Sequence, residues 1–455
     1  MFRRVAIIGG GAAAAALLSE LIDRAPATTP LHVDWYTGGG RPGRGVAYGT
    51  DSPRHLLNVR AASMGMFTGK PLGFLDYAQR QNPDVAGTDF LPRRLYGDYL
   101  ESEVRRALAQ AQARDHDVRV LPFAADALVP EPGGVTVLQG EESRRADAAV
   151  LALGTLPNQP LAGVEPALLE DRYVIDPWAL LARGDDATPP RQVALIGLGL
   201  TAVDVLLELA ARWPQTRFVA LSRHGRLPEP HLPAASAPAD DGGALVEAMR
   251  DKAEVRHWTH LLRDACAASR DWRTVIDSLR PHTPGLWAGL VPEERARFLR
   301  HARWAWERVR HRLPPAVAEA MAELEHSGRL QRLRGRMRAV RRAGDGVQLD
   351  LELPHGSSAR ALEADLAIQA IGLDTDARRT HHPLVRQLVT NGHVLPEPLG
   401  QGLAAEDDGR LHHGGGVWPH VYAIGSLLRG ALWESTAMPE IRQQARGVAE
   451  RLLAG

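Results

Sequence analysis

The sequence predicts an α/β protein of two Rossmann-like (doubly wound) dinucleotide-binding domains, the second inserted in the first and carrying a helical insertion. Three observations predict it. An apolar strand, a glycine-rich turn and an alanine-rich helix open the chain (VAIIGGGAAAAALL), and the same grammar recurs from Val193 (VALIGLGLTAVDVLLELAARW). A further apolar strand ending in Gly-Ser stands near the C-terminus (HVYAIGSL), followed by a terminal helix, so the chain returns to complete the unit it began. With 455 residues, 44% hydrophobic and 24% charged, the chain is long enough for two or three domains with real cores.

Taken in order, Val5 to Ile8 is a strand, the alanine-rich helix ends near Asp23, and the alternating run Leu31 to Tyr36 closes a βαβ unit. The run Ala148 to Gly154 (AAVLALG) is continuously apolar and ends in glycine, as a buried parallel strand does when it delivers its C-terminal end to a ligand. Residues 181–192 are rich in Pro, Gly and Asp and read as a linker. Residues 245–327 hold long Arg, Ala and Leu runs and half of the tryptophans, and are expected to form helices packed over the second domain. From Gly328 to Gly372 the chain turns β-like (GVQLDLEL, DLAIQAIG), the latter echoing the earlier VLALG strand. The expected domains are 1–185 (first segment), 186–372 with its insertion at 245–327, and 373–455 (returning segment).

Composition narrows the function classes. Lys plus Arg and Asp plus Glu both total 54, so no global field attracts nucleic acid or an anionic membrane, and neither is expected as a partner. Lys70 and Lys252 are the only lysines, which disfavours Schiff-base chemistry, while the abundant arginine suits phosphate. The single cysteine, Cys266, excludes a dithiol redox pair and fits a reducing cytoplasm, the expected location. Arg3 and Arg4 before an apolar run imitate a secretory signal, but three glycines interrupt the run directly after a strand-like VAII. No other run reaches the roughly 18 apolar residues of a membrane span.

The residues that carry chemistry follow from these turns. Gly9, Gly11 and Ala14 form G-x-G-x-x-A between strand and helix, where the pyrophosphate of a dinucleotide needs close backbone approach and a helix N-terminus. Its N-terminal position and the returning segment assign this site to FAD. The ribose carboxylate usual at the end of the second strand is replaced by Thr37, a weaker partner. Gly197, Gly199 and Ala202, with Thr201 between them, repeat the fingerprint. There the second strand ends in Ser222 and Arg223, a hydroxyl and a guanidinium suited to a 2′-phosphate, so NADPH is favoured and NADH stays open. Gly154 and Gly372 end the two echoing strands. Gly425 and Ser426 are expected at the ribityl and pyrophosphate region, and Ser435, Thr436 and Ala437 at the start of a helix under the flavin ring, where the hydroxyls could equally be N-caps.

The stretches GRGVAYGT, HLLNVRAASM, PRRLYGDYL, GLGLTAVD, SRHGRLPEPH and WESTAMPEIRQQA resemble a bacterial family of FAD/NAD(P)-binding oxidoreductases. That family is similar in architecture to two-domain flavoprotein monooxygenases, amine N-hydroxylases among them. The resemblance implies that Arg44, Tyr48 and Asn58 fall in a loop near the flavin, with Asn58 as the catalytic candidate through its amide. It implies a monooxygenase using FAD, NADPH and molecular oxygen on a small-molecule substrate, by way of a C4a-peroxyflavin. A flavin-dependent oxidase or dehydrogenase of an amine or alcohol, and a non-catalytic redox sensor, are the alternatives. The histidine pairs His381 with His382, His412 with His413 and His257 with His260 lack carboxylates or thiols at metal spacing, so no metal is expected. His231 and His311 are either acid-base groups or structural. No signal specifies the oligomeric state.

Overall fold

Strand Arg4–Ile8 is buried from Val5 onward because both its edges are paired, with His32–Tyr36 on one side and Ala148–Leu151 on the other, all parallel. The computed structural model describes residues 2–26, 28–183, 188–234, 242–354, 360–372 and 374–454. The first sheet is completed by Asp117–Leu121 beyond the second strand and, beyond Ala148–Leu151, by Gly416–Ala423 and its antiparallel neighbour Arg410–His413. Helix Ala12–Arg24 lies on one face against the terminal helix Met438–Ala454, and its run of small residues lets the two approach closely.

The second sheet repeats the plan. Gln192–Ile196 is flanked in parallel by Arg217–Ser222 and Leu366–Gln369, with Leu330–Arg334 and Tyr173–Val174 at the edges. The protein is therefore an α/β fold with two parallel sheets of the dinucleotide-binding kind. In each half a three-stranded antiparallel meander precedes the strand that ends in glycine: 127–146 before Ala148, and 336–364 before Leu366. The first of these meanders is not anticipated by the sequence. Strand Tyr173–Val174 and Leu168 already pack in the second sheet's core with Ala194 and Ile196. The expected boundary at 185 would leave them with the first sheet; residue 185 itself, within the expected linker, and residue 373 at the second boundary lie outside the described residues.

Residues 243–326 are helical, but their packing differs from the expectation. Only the last helix, Pro315–His326, covers the second sheet, through Val317, Met321 and Leu324. The preceding helices enclose a core of Val246, Met249, Trp258, Leu286 and Trp287 that takes in Trp433 of the returning segment. Trp287 stacks on Trp433 at 5.0 Å, and its indole N–H donates to the Gly430 carbonyl at 2.7 Å. The Arg280 guanidinium forks onto Glu440 at 2.7 and 2.9 Å. The reason is chemical: the returning segment offers one indole and two carboxylates that the second sheet does not.

Trp433 adopts φ 58°, ψ −68°, and the Glu434 N–H donates to the Leu432 carbonyl at 2.7 Å, a three-residue turn that strains a side-chain-bearing residue. What holds it is the tryptophan stack and the ion pair beside it, where Arg310 and Glu434 meet at 2.9 Å with side chains only 9% and 8% exposed. Removing one partner of such a pair strands a buried charge, at a cost of about 3–5 kcal/mol. Arg310→Met is accordingly expected to lower the urea midpoint sharply, and Arg310→Met with Glu434→Leu to recover part of the loss; equal midpoints for wild type and single variant would refute this account of the clamp.

Candidate functional site

The two glycine turns are conformational copies. Gly9 has φ 127° and Gly197 φ 131°, and a methyl on either would collide with the carbonyl oxygen of the neighbouring strand's end, Ala152 or Ala370. The Gly9 and Gly197 amides donate to Tyr36 and Leu221, each at 2.8 Å, while Ala152 N and Ala370 N donate back to Ile8 and Ile196. Only a residue without Cβ lets the turn lie this close to the parallel strand. Gly11 and Gly199 then stand at the N-termini of helices Ala12–Arg24 and Leu200–Arg212 with nearly the same extended backbone. No atom lies within 4 Å of a Cβ built on Gly199, and for Gly11 only Gly45 Cα, at 3.8 Å. Ala14 and Ala202 are buried beneath the turns, and Thr201 sits half-buried in the first turn of its helix. Gly10, which sequence reasoning passed over, is equally constrained, since a Cβ there would strike the Thr37 carbonyl.

Thr37 is buried at the end of the second strand, but its hydroxyl donates to the Leu121 carbonyl at 3.1 Å, so it has only lone pairs left to offer a ribose. The loop from Gly43 to Tyr48 lies against the first turn: Gly43 N donates to the Gly10 carbonyl at 2.9 Å, and a Cβ on Gly45 would stand 3.0 Å from Gly11 Cα. Arg44 does not offer a free cation there. Its guanidinium, 3% exposed, is bound by Asp98 and by Glu101 at 2.8 Å, and these carboxylates hold it charged despite burial. Tyr48 packs edge-on to Tyr96 at 4.7 Å, and burial pushes its phenol up to about 12.

Further along the same loop, His55 is locked between the halves. Its Nε2–H donates to the Asp204 carbonyl at 3.3 Å, so Nδ1 is bare and accepts from the Thr50 hydroxyl at 2.7 Å. Arg93 reaches the Asp204 carboxylate at 2.7 Å, and Ser52 and Arg54 reach Glu208 on the same helix. Asn58 follows, half-buried. Its carbonyl accepts from His231 Nε2 at 3.2 Å, and among the described residues its side-chain amide makes no hydrogen bond.

Gly154 and Gly372 are left-handed at φ 69° and 87° and face open space. The crossovers that follow them run side by side: Leu156 N donates to Asp374 O at 3.3 Å and Asn158 Nδ2 to Gly372 O at 3.2 Å, leaving Asn158 Oδ1 buried and, among the described residues, without a partner. Gln369, wholly buried, fastens the same crossover by receiving the Leu161 N–H and the Tyr173 hydroxyl. Nothing in the sequence marks Asn158 or Gln369 beyond a polar residue at a strand's end. Gly425 donates its amide to Gln444 at 2.7 Å, and Ser426 donates its hydroxyl to the Gly154 carbonyl, so the returning segment meets the first one at these residues. Ser435, Thr436 and Ala437 immediately precede helix Met438–Ala454. The Ser435 hydroxyl is buried and caps nothing; among the described residues it has no hydrogen-bond partner. Two exposed apolar side chains lie on the same features, Val46 (63%) beside Gly45 and Ile371 (50%) before Gly372.

An FAD fits these residues on three counts: open glycines at a helix N-terminus, an orphaned buried hydroxyl at the start of another helix, and uncovered apolar surface beside the first turn. At the second turn Ser222 Oγ accepts from Gly225 N at 2.9 Å and keeps its own proton to donate, and Arg223 is exposed. Among the described residues no cluster of three or more metal-binding side chains occurs, and no helix is long and apolar enough to cross a membrane.

A fold and turns of this kind are those of dinucleotide-binding domains, and residues 6–156 match a family model described as FAD-NAD(P)-binding. No curated protein sequence matches the chain. Among solved structures it is similar to the ornithine N-hydroxylase of Kutzneria sp. 744, described with reduced FAD, NADP+ and L-orn (TM-score 0.68, 17% identity, 99% of each chain covered). It is similar also to L-lysine 6-monooxygenase from Pseudomonas syringae (0.67, 16% identity, 99% of each chain). The FAD-bound cadaverine monooxygenase of Erwinia amylovora matches at TM-score 0.65 and 12% identity, over 100% of this chain and 95% of that one.

Two predictions follow from the geometry. Gly197→Ala should cost about 2 kcal/mol or more of stability, whereas Gly199→Ala should leave the melting temperature nearly unchanged and instead weaken dinucleotide binding in a fluorescence titration. Burial, with Arg312 next, pushes the His231 imidazole down to about 3, and burial, with Arg310 next, does the same to His311. Both are neutral when folded, so below about pH 6.5 the unfolded chain takes up protons the folded one refuses. Stability should fall from there toward pH 3 by up to about 1.4 kcal/mol per pH unit for each histidine, and His231→Gln should flatten the slope in urea titrations.

Proposed function

We propose that this protein is an FAD-dependent NADPH oxidoreductase, and a monooxygenase that hydroxylates a small molecule. The observation that carries the reading is the duplicated turn, with Gly11 and Gly199 open in matching conformations at two helix N-termini. Gly9, Gly11, Ala14 and Thr37 hold the adenosine and pyrophosphate of FAD, and Gly154, Gly425, Ser426 and Ser435 to Ala437 line the flavin side. Gly197, Gly199, Thr201, Ala202, Ser222, Arg223 and Gly372 serve NADPH. Bound FAD supplies hydride acceptance and oxygen activation.

This chain's own residues orient and exclude. The His55, Arg93 and Asp204 contacts fix the second helix against the flavin-side loop, setting the distance over which hydride must pass. Asn58, its carbonyl tied down by His231, presents an uncommitted amide at the seam and is proposed to hydrogen-bond the reacting edge of the flavin. The small molecules in the three neighbours' descriptions are primary amines, so amines are the first substrates to try.

Purified protein should be yellow and retain FAD, NADPH should bleach it without air, and an amine alone should not. Asn58→Ala should keep FAD yet lower hydroxylated product per NADPH consumed by about tenfold or more, the balance leaving as hydrogen peroxide. Bleaching by the amine without NADPH would replace the monooxygenase reading with that of an amine dehydrogenase or oxidase.

A further inference from the structure

Strand Leu330–Arg334 runs parallel to Arg217–Ser222, with Ser222 opposite Arg334 in register. Neighbouring strands lie about 4.8 Å apart, so the two strand ends open onto one edge of the sheet. The ends are pinned together, since Gly335 N donates to the Ser222 carbonyl at 3.0 Å. The turn after Ser222 folds back over the adjacent strand: Gly225 N donates to Ser222 Oγ at 2.9 Å, and Gly225, at φ 63°, would carry a Cβ only 3.0 Å from Arg334 Cβ. Arg223 at the head of this turn and Arg334 beside it thus share one small surface.

The charge on this surface is unbalanced. Two arginines near the turn are neutralised, Arg308 by Glu229 and Arg332 by Glu325. Arg223, Arg226 and Arg334 are all exposed, and among the described residues none forms an ion pair with a carboxylate. Their fields overlap on His224, whose imidazole is held below its ordinary range by burial first, then by Arg223, Arg334 and Arg226. His224 itself is held flat on Trp304, with centroids 3.7 Å apart. Three guanidiniums gathered without a counter-charge repel one another, and a phosphate monoester dianion relieves that repulsion while accepting forked hydrogen bonds.

Resting on the NADPH reading above, we propose that Arg334, from the strand next to the one bearing the fingerprint's second-strand end, is a second guanidinium for the 2′-phosphate. Arg223 and Arg334 together then set the preference for NADPH over NADH, with Arg226 at the margin. The discrimination is built across two strands instead of within one loop, which is why the sequence around Ser222 reveals half of it.

The test uses the FAD-loaded full chain and two fragments that differ only in the 2′-phosphate, 2′,5′-ADP and 5′-AMP, with calorimetric binding as readout beside flavin reduction by NADPH and NADH. Wild type should bind 2′,5′-ADP more tightly than 5′-AMP. Arg334→Gln should weaken 2′,5′-ADP by about tenfold or more, and raise the half-saturating NADPH concentration by a like factor, while 5′-AMP and NADH change less than about twofold. Arg334→Lys should fall between. Loss of both fragments alike, or of neither, in Arg334→Gln overturns the proposal while wild type still prefers 2′,5′-ADP. A wild type without that preference overturns the NADPH assignment as well.

Discussion

In both halves of the molecule the first strand runs straight into a glycine whose backbone presses on the carbonyl at the end of the adjacent parallel strand. Gly9 against Ala152 and Gly197 against Ala370 leave no room for a side chain, and the approach is what closes each sheet around its turn. The same closure puts the next glycine at a helix N-terminus facing outward. It also dictates where the adjacent strands must end, and each of those strands passes through a left-handed glycine, Gly154 or Gly372, into a crossover. Because the crossovers are hydrogen-bonded to one another, the placement of one turn is coupled to that of the other.

Beside the apolar cluster at Trp433, charged pairs join the halves, as an arginine-rich chain with no net charge permits. Arg93 with Asp204, Arg310 with Glu434 and Arg280 with Glu440 are directional, and each joins segments far apart in sequence. Such pairs add little net stability when their desolvation is counted, but they are costly to break singly and so specify one arrangement. The helical insertion serves this end. It grips the returning segment around Trp433 and keeps a strained turn in place just ahead of the helix under the expected flavin ring.

This arrangement separates what a dinucleotide needs from what a substrate needs. Backbone and helix termini supply the former and recur almost unchanged in both halves. The latter is proposed to depend on side chains at the seam, where His231 of the second domain meets Asn58 of the first segment. Arg44 shows the difference: its neighbours in the loop reach the first turn, yet its own charge is spent inside the fold on Asp98 and Glu101.

Strand, turn and helix at both fingerprints are legible in the sequence because they rest on local physics, glycine at a steric pinch and apolar periodicity over a few residues. The sequence by itself therefore determined the fold class, the two glycine turns and the echo between the strands that end at Gly154 and Gly372. Only the tertiary structure decided that Thr37 gives its proton to Leu121, that Ser435 caps nothing, that the helices of 243–310 grip Trp433, and that Arg334 stands beside Ser222. Each of these is a contact between residues distant along the chain, and what a side chain meets across such a distance is fixed by strand order and packing, which no local pattern encodes.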